Sequence, residues 1–354
     1  MARASARHIL VPTATQAGTA SALVAVPTST SVASDAATSV VASGTSVASD
    51  VSAEPTPAAP VTDTPYVEPT PTPPSTPAVA PAPTAATAAV ASIDAYRGLG
   101  SWVDIYDAKA WKDPAAAVAD MAGHGVRTLF LETSNSRSSF TIKNTAGAST
   151  FIREAHARGM KVVAWYLPDM KNGSTDYDRI AAAIGFRTSD GQKFDSFALD
   201  IESSAIKSES ARNSALASLS ARIRSLVGAT YPLGAIIPSP AGLAKKLGYW
   251  DNFPYAAIAR AYDVFVPMSY YTYHTKTASG AYDDTDANVR IIRAQKGCSK
   301  IPIHLIGGID VDSSTAETQA FVRAAVAMRC VGASFYQWSG TSAADWAALS
   351  AIKP

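Results

Sequence analysis

From about Arg97 onward the sequence alternates, eight times over, between a short run rich in Val, Ile, Leu, Phe and Tyr and a segment with helical periodicity. The short runs are RGLGSWVDIY, VRTLFLETS, KVVAWYLPD, FDSFALDIES, YPLGAIIPS, DVFVPMSYY, IPIHLIGGID and VGASFYQWS. Several are nearly continuously apolar, the pattern of strands buried on both faces. Between them lie segments such as NTAGASTFIREAHARGM, SESARNSALASLSARIRSLVGA and TAETQAFVRAAVAMR. Several of these open on Ser, Thr or Asp and close near Gly, as capped helices do. Eight units in about 260 residues suit a closed (β/α)8 TIM barrel. An open doubly wound sheet would also alternate, but no G-x-G-x-x-G follows the first strand. The expected fold is therefore α/β, a (β/α)8 barrel.

Composition divides the 354-residue chain near Ile93. Before that point it is almost entirely Ala, Ser, Thr, Val and Pro, and its only aromatic residue is Tyr66. Such a stretch has too little bulky apolar surface to offset the entropy of ordering it, and its Pro-rich half favours an extended spacer. Residues 1–93 are expected to be a disordered linker or stalk, and residues 94–354 one barrel domain. Arg3, Arg7 and His8 precede ILVPTATQAGTASALVAV, which fits either a poor signal peptide or a plain disordered start. Ser/Thr/Pro stretches of this kind often form stalks outside the cell, so a secreted or cell-wall-associated protein is expected. Formal charge is +1 over the whole chain, which argues against a nucleic-acid surface. No apolar run approaches the roughly 18–20 residues of a membrane span, and a monomer is expected. Cys298 and Cys330 each precede a strand at the same end of neighbouring units. They are read as a disulfide suited to an oxidising compartment, with two buried free thiols as the alternative.

Barrel active sites lie at the C-terminal ends of the strands. Those ends carry Asp104, Glu132, Asp169, the pair Asp200 and Glu202, Ser239, then Tyr270, Tyr271 and His274, Asp310, and Gln337 with Trp338. In FDSFALDIE, period-2 alternation puts Ala198, Asp200 and Glu202 on one face. At ~3.3 Å per residue the two carboxylates stand roughly 7 Å apart along the strand. Mutual repulsion raises the pKa of one of them, which is what a general acid working near neutral pH requires.

This segment resembles the fourth-strand signature of family 18 glycoside hydrolases, D-x-x-D-x-D-x-E, through Asp195, Asp200 and Glu202, with Ala198 where the family has its middle Asp. The sixth-strand segment VPMSYYTY resembles that family's M-x-Y-[DN] through Met268 and Tyr270, with Tyr271 in the last place. Trp338 matches the family's sugar-stacking position. The resemblance implies a chitinase-like, substrate-assisted hydrolysis of a polysaccharide containing N-acetylhexosamine. Glu202 would be the acid, Asp200 and Tyr270 would hold the acetamido group, and Trp338 would lie under the sugar. The third strand lacks the family's S-x-G-G. A weaker similarity to family 25 lysozymes rests on ALDIE, with Asp104 and Asp169 as further carboxylates, and implies peptidoglycan as substrate.

Substrate contacts are expected from Trp338, Asp104, Glu132, Asp169, Tyr166, Met268, Tyr271 and Gln337. The aromatic set Tyr262, Tyr270, Tyr271, Tyr273, Trp165, Tyr166, Tyr336 and Trp338 reads as a sugar lining, though such residues are as often core. Trp250 and Phe253 either contact sugar or anchor their loop. No H-x-x-x-H or C-x-x-C spacing occurs, so neither metal nor other cofactor is expected. The Ala at 198 also motivates a second reading, a non-catalytic carbohydrate-binding barrel carried on a stalk.

Overall fold

The computed structural model describes residues 91–245, 248–309 and 313–353. Nearly all of the expected linker, residues 1–90, lies outside the described residues, as does Asp310. Eight parallel strands close into a barrel in chain order, with helices between them. The first half runs β1 (Gly98–Val103), α1 (Ala108–Lys112), α2 (Pro114–Gly123), β2 (Thr128–Asn135), α3 (Thr145–Ala157), β3 (Lys161–Leu167), α4 (Gly173–Gly185) and β4 (Ser196–Asp200). The second runs α5 (Glu209–Val227), β5 (Leu233–Pro238), α6 (Pro240–Lys245), α7 (Tyr255–Ala261), β6 (Val264–Met268), α8 (Ala278–Ala294), β7 (His304–Ile309), α9 (Thr315–Ala327), β8 (Gly332–Tyr336) and α10 (Ala343–Leu349). The (β/α)8 expectation is met.

Local chemistry explains the helix starts. Asp113 caps α2, its side chain accepting the Ala116 N–H at 3.0 Å, and Pro114 opens the helix where no N–H is needed. Ser314 and Glu317 form a reciprocal capping box on α9. Two short helices escape the sequence pattern. These are α1, nucleated by the Asp107 side chain on the Ala110 N–H, and α6 in the long segment after β5. Helix α8 starts at Ala278, earlier than DANVRIIRAQKG suggests, because Thr277 caps it through the Gly280 N–H.

Strand alternation sorts the core into two parts. Leu129, Leu131, Val162, Ala164, Phe197 and Leu199 face outward and join the layer packed under the helices. Their neighbours point into the barrel, where Trp102 stacks on Phe130 at 4.1 Å between ring centres and meets Trp165 edge-on at 5.8 Å. The barrel's N-terminal end is plugged by Tyr96. Its hydroxyl lies 2.6 Å from Ser196 Oγ, and its carbonyl accepts from His304 Nδ1 at 2.8 Å. Gly234 is required beside this plug, since a Cβ there would lie 2.5 Å from the Tyr96 hydroxyl oxygen.

The cysteines are both free, which corrects the disulfide expectation. Cys298 Sγ is directed at the Tyr255 carbonyl at the start of α7. Cys330 follows α9, its N–H bound to the Ala325 carbonyl, with Arg293 of α8 as its charged neighbour. The two thiols therefore pack against different helices, although their strands are adjacent.

Candidate active site

The inward positions at the C-terminal strand ends bring four carboxyl groups to one mouth. Asp200 ends β4 and is 7% exposed, while Glu202, two residues on, is only partly buried. Glu132, on β2, is 2% exposed and held at both oxygens: Oε2 accepts the Ile105 N–H at 2.9 Å, and Oε1 accepts Asn135 Nδ2 at 3.1 Å. Asp104, just after β1, accepts the Tyr106 N–H at 2.7 Å and the Tyr336 hydroxyl at 2.8 Å. Asp200 Oδ1 is buried without a hydrogen-bond partner among the described residues.

Burial dominates the electrostatics. It pushes Glu202 up to about 7 and Glu132 up to about 8. Asp200 rises well above the usual carboxylate range, first through burial and then through the charges of Glu202 and Glu132. Asp200 and Glu202 thus titrate as a pair, and at neutral pH the pair retains at least one proton. The proton is useful on Glu202, the member open to the mouth.

One inward-facing step back along β4 from the pair lies Ala198, beside Trp165. Trp165 on β3 is in register with Ala198 on one side and Glu132 on the other. Position 198 therefore presents a methyl group beside an indole, where the family 18 pattern has a carboxylate. The Trp165 Nε1 is itself buried without a partner among the described residues. Met268 and Tyr270, at the end of β6, are both buried on the inward parity. Tyr336 completes this side of the mouth at the end of β8. Burial, reinforced by the charges of Asp104 and Glu132, raises its hydroxyl pKa.

Several of the expected contact residues lie away from this mouth. Tyr166 has the opposite parity from Trp165: it is fully buried in the outer layer, its hydroxyl donating to Asp176 Oδ1 at 2.6 Å. Tyr271 likewise turns outward, stacking near Phe321 and Phe335 with its hydroxyl 2.8 Å from Ser313 Oγ. Trp338 falls in a tight turn after β8, where its Nε1 donates to Asp120 Oδ2 at 2.8 Å and the Lys109 ammonium sits 4.7 Å above its ring. It packs beside α1 and α2. Asp169 stays on the loop before α4, accepting the Lys171 N–H at 2.9 Å, and its charge acts on Asp176. Gln337 is partly buried, with Oε1 lacking a partner among the described residues. Tyr262 bonds Ser220 in the outer layer, and Trp250 is fully buried beneath Arg212, so it anchors its loop. Ser239 and His274 are tied to Asn288 and Asp284 of α8. Among the described residues no group of His, Cys, Asp and Glu is arranged to hold a metal ion, and no helix is long and apolar enough to cross a membrane.

Sequence reasoning missed Trp102, Tyr106, Asn135 and Tyr249. Trp102 could have been found, since it shares its parity with Asp104. Tyr249, whose hydroxyl donates to the Glu202 carbonyl, comes from the segment after α6 and carries no periodic signal.

With this geometry in view, solved structures supply the comparison. An endo-1,4-beta-mannanase from Rhizomucor miehei matches with a TM-score of 0.54 at 12% identity, over 68% of this chain and 86% of that one. A chitinase from Chromobacterium violaceum matches with a TM-score of 0.52 at 12% identity, over 72% of this chain and 98% of that one. This chain shares their fold. A family 18 chitinase from Cycas revoluta, solved with allosamidin, matches with a TM-score of 0.51 at 10% identity, over 72% of this chain and 98% of that one. At such identities the likeness is one of architecture. No family model matches the chain, and no curated protein matches it by sequence.

Proposed function

We propose that the barrel hydrolyses O-glycosidic bonds in a polysaccharide, with Glu202 as general acid and Asp200 as its stabilising neighbour. One observation carries this reading: two carboxyl groups share the inward face at the end of β4, both raised by burial, one sealed and the other open to the mouth. A protonated Glu202 can deliver its proton to the leaving oxygen as the bond from C1 breaks. With Asp200 held neutral by burial, the carboxylate that Glu202 becomes meets no like charge beside it, which is how the neighbour stabilises it.

Where the sugar carries an acetamido group, its carbonyl oxygen attacks C1 as the leaving group departs, and Tyr270 hydrogen-bonds that group. Water subsequently opens the cyclic intermediate, returning a proton to Glu202. Fold relatives named as a chitinase and an endo-1,4-beta-mannanase support a glycan substrate. Chitin-like or peptidoglycan-like chains are the N-acetylated candidates. The low-complexity composition of the N-terminal stretch is what supports a location outside the cell or on its wall; the free thiols lend that reading no support.

Ala198 favours one other reading, a barrel that binds glycan without cutting it. Both are tested by incubating wild type and Glu202→Gln with colloidal chitin, peptidoglycan and β-mannan. Loss of about 10²–10⁴-fold in the variant is expected for a general acid. Equal hydrolysis by the two proteins would overturn the assignment, and binding without turnover by wild type would favour the lectin reading.

A further inference from the structure

The carboxyl groups occupy one side of the mouth, on β2 and β4, with Asp104 at its edge. An arc of the rim from β6 through β8 to the loop after β1 carries tyrosines. Tyr106, in the loop after β1, is 66% exposed, although large aromatic rings are mostly buried. It is nevertheless held in place. Its hydroxyl accepts Asn135 Nδ2 at 3.1 Å, the same nitrogen that donates to Glu132 Oε1, and its N–H is bound to Asp104. At the other end, Tyr273 is 44% exposed and meets the edge of Tyr270 at 6.1 Å and 83°. The turn that carries it is fixed by Tyr271, whose ring is sunk in the outer layer. That anchor lifts Tyr273 to the rim.

Between these two rings stand Tyr270 and Tyr336, the latter bonded to Asp104. Going round the barrel, the order is β6, β7, β8, β1, so the tyrosines span three inter-strand steps, on the arc of strands that does not include β4 with Asp200 and Glu202. Fixed, exposed rings suit the C–H faces of pyranoses, because the flat apolar surface is offered without an ordering cost on binding.

We propose that Tyr106, Tyr336, Tyr270 and Tyr273 form one wall of a glycan cleft crossing the mouth, with Tyr106 and Tyr273 as outer subsites on either side of the scissile bond. The inference rests on the glycosidase reading for what happens at the centre. It makes the protein a binder of internal segments of a chain, and so endo-acting.

The test uses the full chain carrying Glu202→Gln, titrated calorimetrically with chitin hexamer, mannohexaose and chitin dimer. At least one hexamer binds more tightly than the dimer. Tyr106→Ala and Tyr273→Ala each weaken that hexamer about three- to tenfold, the range of one aromatic contact, and weaken the dimer less. Tyr106→Trp, which restores a ring, recovers most of the loss. Equal affinity for hexamer and dimer, no binding of any of the three, or hexamer binding indifferent to both alanine variants would overturn the cleft. Tyrosine-dependent hexamer binding with no turnover by wild type would leave the cleft standing and remove the hydrolase reading. Turnover unaffected by either alanine variant would do the reverse.

Discussion

Glu132 is expected to weaken the fold at alkaline pH, and Glu132→Gln isolates the effect. Burial moves its pKa from the ordinary 4.5 to about 8. A carboxyl raised in this way binds its proton more tightly when folded. Its contribution to stability is complete below 4.5 and is lost as pH rises through about 8. At about 1.4 kcal/mol per pH unit, the span amounts to at most about 5 kcal/mol. The glutamine does not titrate and can still accept the Ile105 N–H. Its amide nitrogen, however, would face Asn135 Nδ2, donor against donor. Asn135 cannot turn over, because its Oδ1 already accepts the Arg137 N–H at 3.0 Å and Ser138 Oγ at 3.2 Å. That lost bond costs about 1 kcal/mol at every pH. The variant should therefore be less stable than wild type by about 1 kcal/mol near pH 4, and more stable by about 2–4 kcal/mol near pH 9. Thermal melts of both proteins would show a Tm difference that changes sign, at about 2–4 °C per kcal/mol for a domain of this order. A difference of the same sign at both pH values would refute the reasoning.

Two other outcomes follow from groups at opposite ends of the barrel. Because Glu202 gives up its proton near 7, turnover should fall as pH rises through that value, and the residual rate of Glu202→Gln should lack this limb; a rate-against-pH profile checks both. At the closed end, the hydrogen bond to Asp195, at 2.9 Å, is the main cause raising the His156 pKa. Burial alone would raise Asp195, but the bonds from His156, the Val162 N–H and Lys161 outweigh it and lower its pKa. A raised histidine stabilises fully below its ordinary 6.5 and loses that contribution as pH rises through its folded value. His156→Ala should accordingly cost more stability near pH 5 than near pH 9 in urea titrations at about equal salt.

The eightfold repeat made the barrel legible, because strands buried on both faces and capped helices each leave a local signature. The pair on β4 was legible for the same reason, since one parity rule puts Asp200 and Glu202 together. Applied one strand earlier, that rule would have separated Trp165, inside, from Tyr166, outside; on β6 it would have separated Tyr270 from Tyr271. Trp338 is a different case. Counting by twos from Tyr336 puts it inside, but the strand ends at Tyr336 and the chain turns away. Tyr106 and Tyr249 were illegible because their positions depend on distant partners, Asn135 and the Glu202 carbonyl, which no local pattern announces. The cysteines show the same limit: adjacent strands do not make adjacent side chains.

The stacked Trp102 and Phe130, with Trp165 level with Ala198, fill the barrel below the mouth. Glu202 is partly exposed at the mouth, the side a bound chain would cover. An occupied mouth would strip solvent from Glu202 further, raising its hold on the proton at the moment a donor is needed. Ligand and acid would then be linked through hydration: the chain that is to be cut helps to keep its own proton donor loaded.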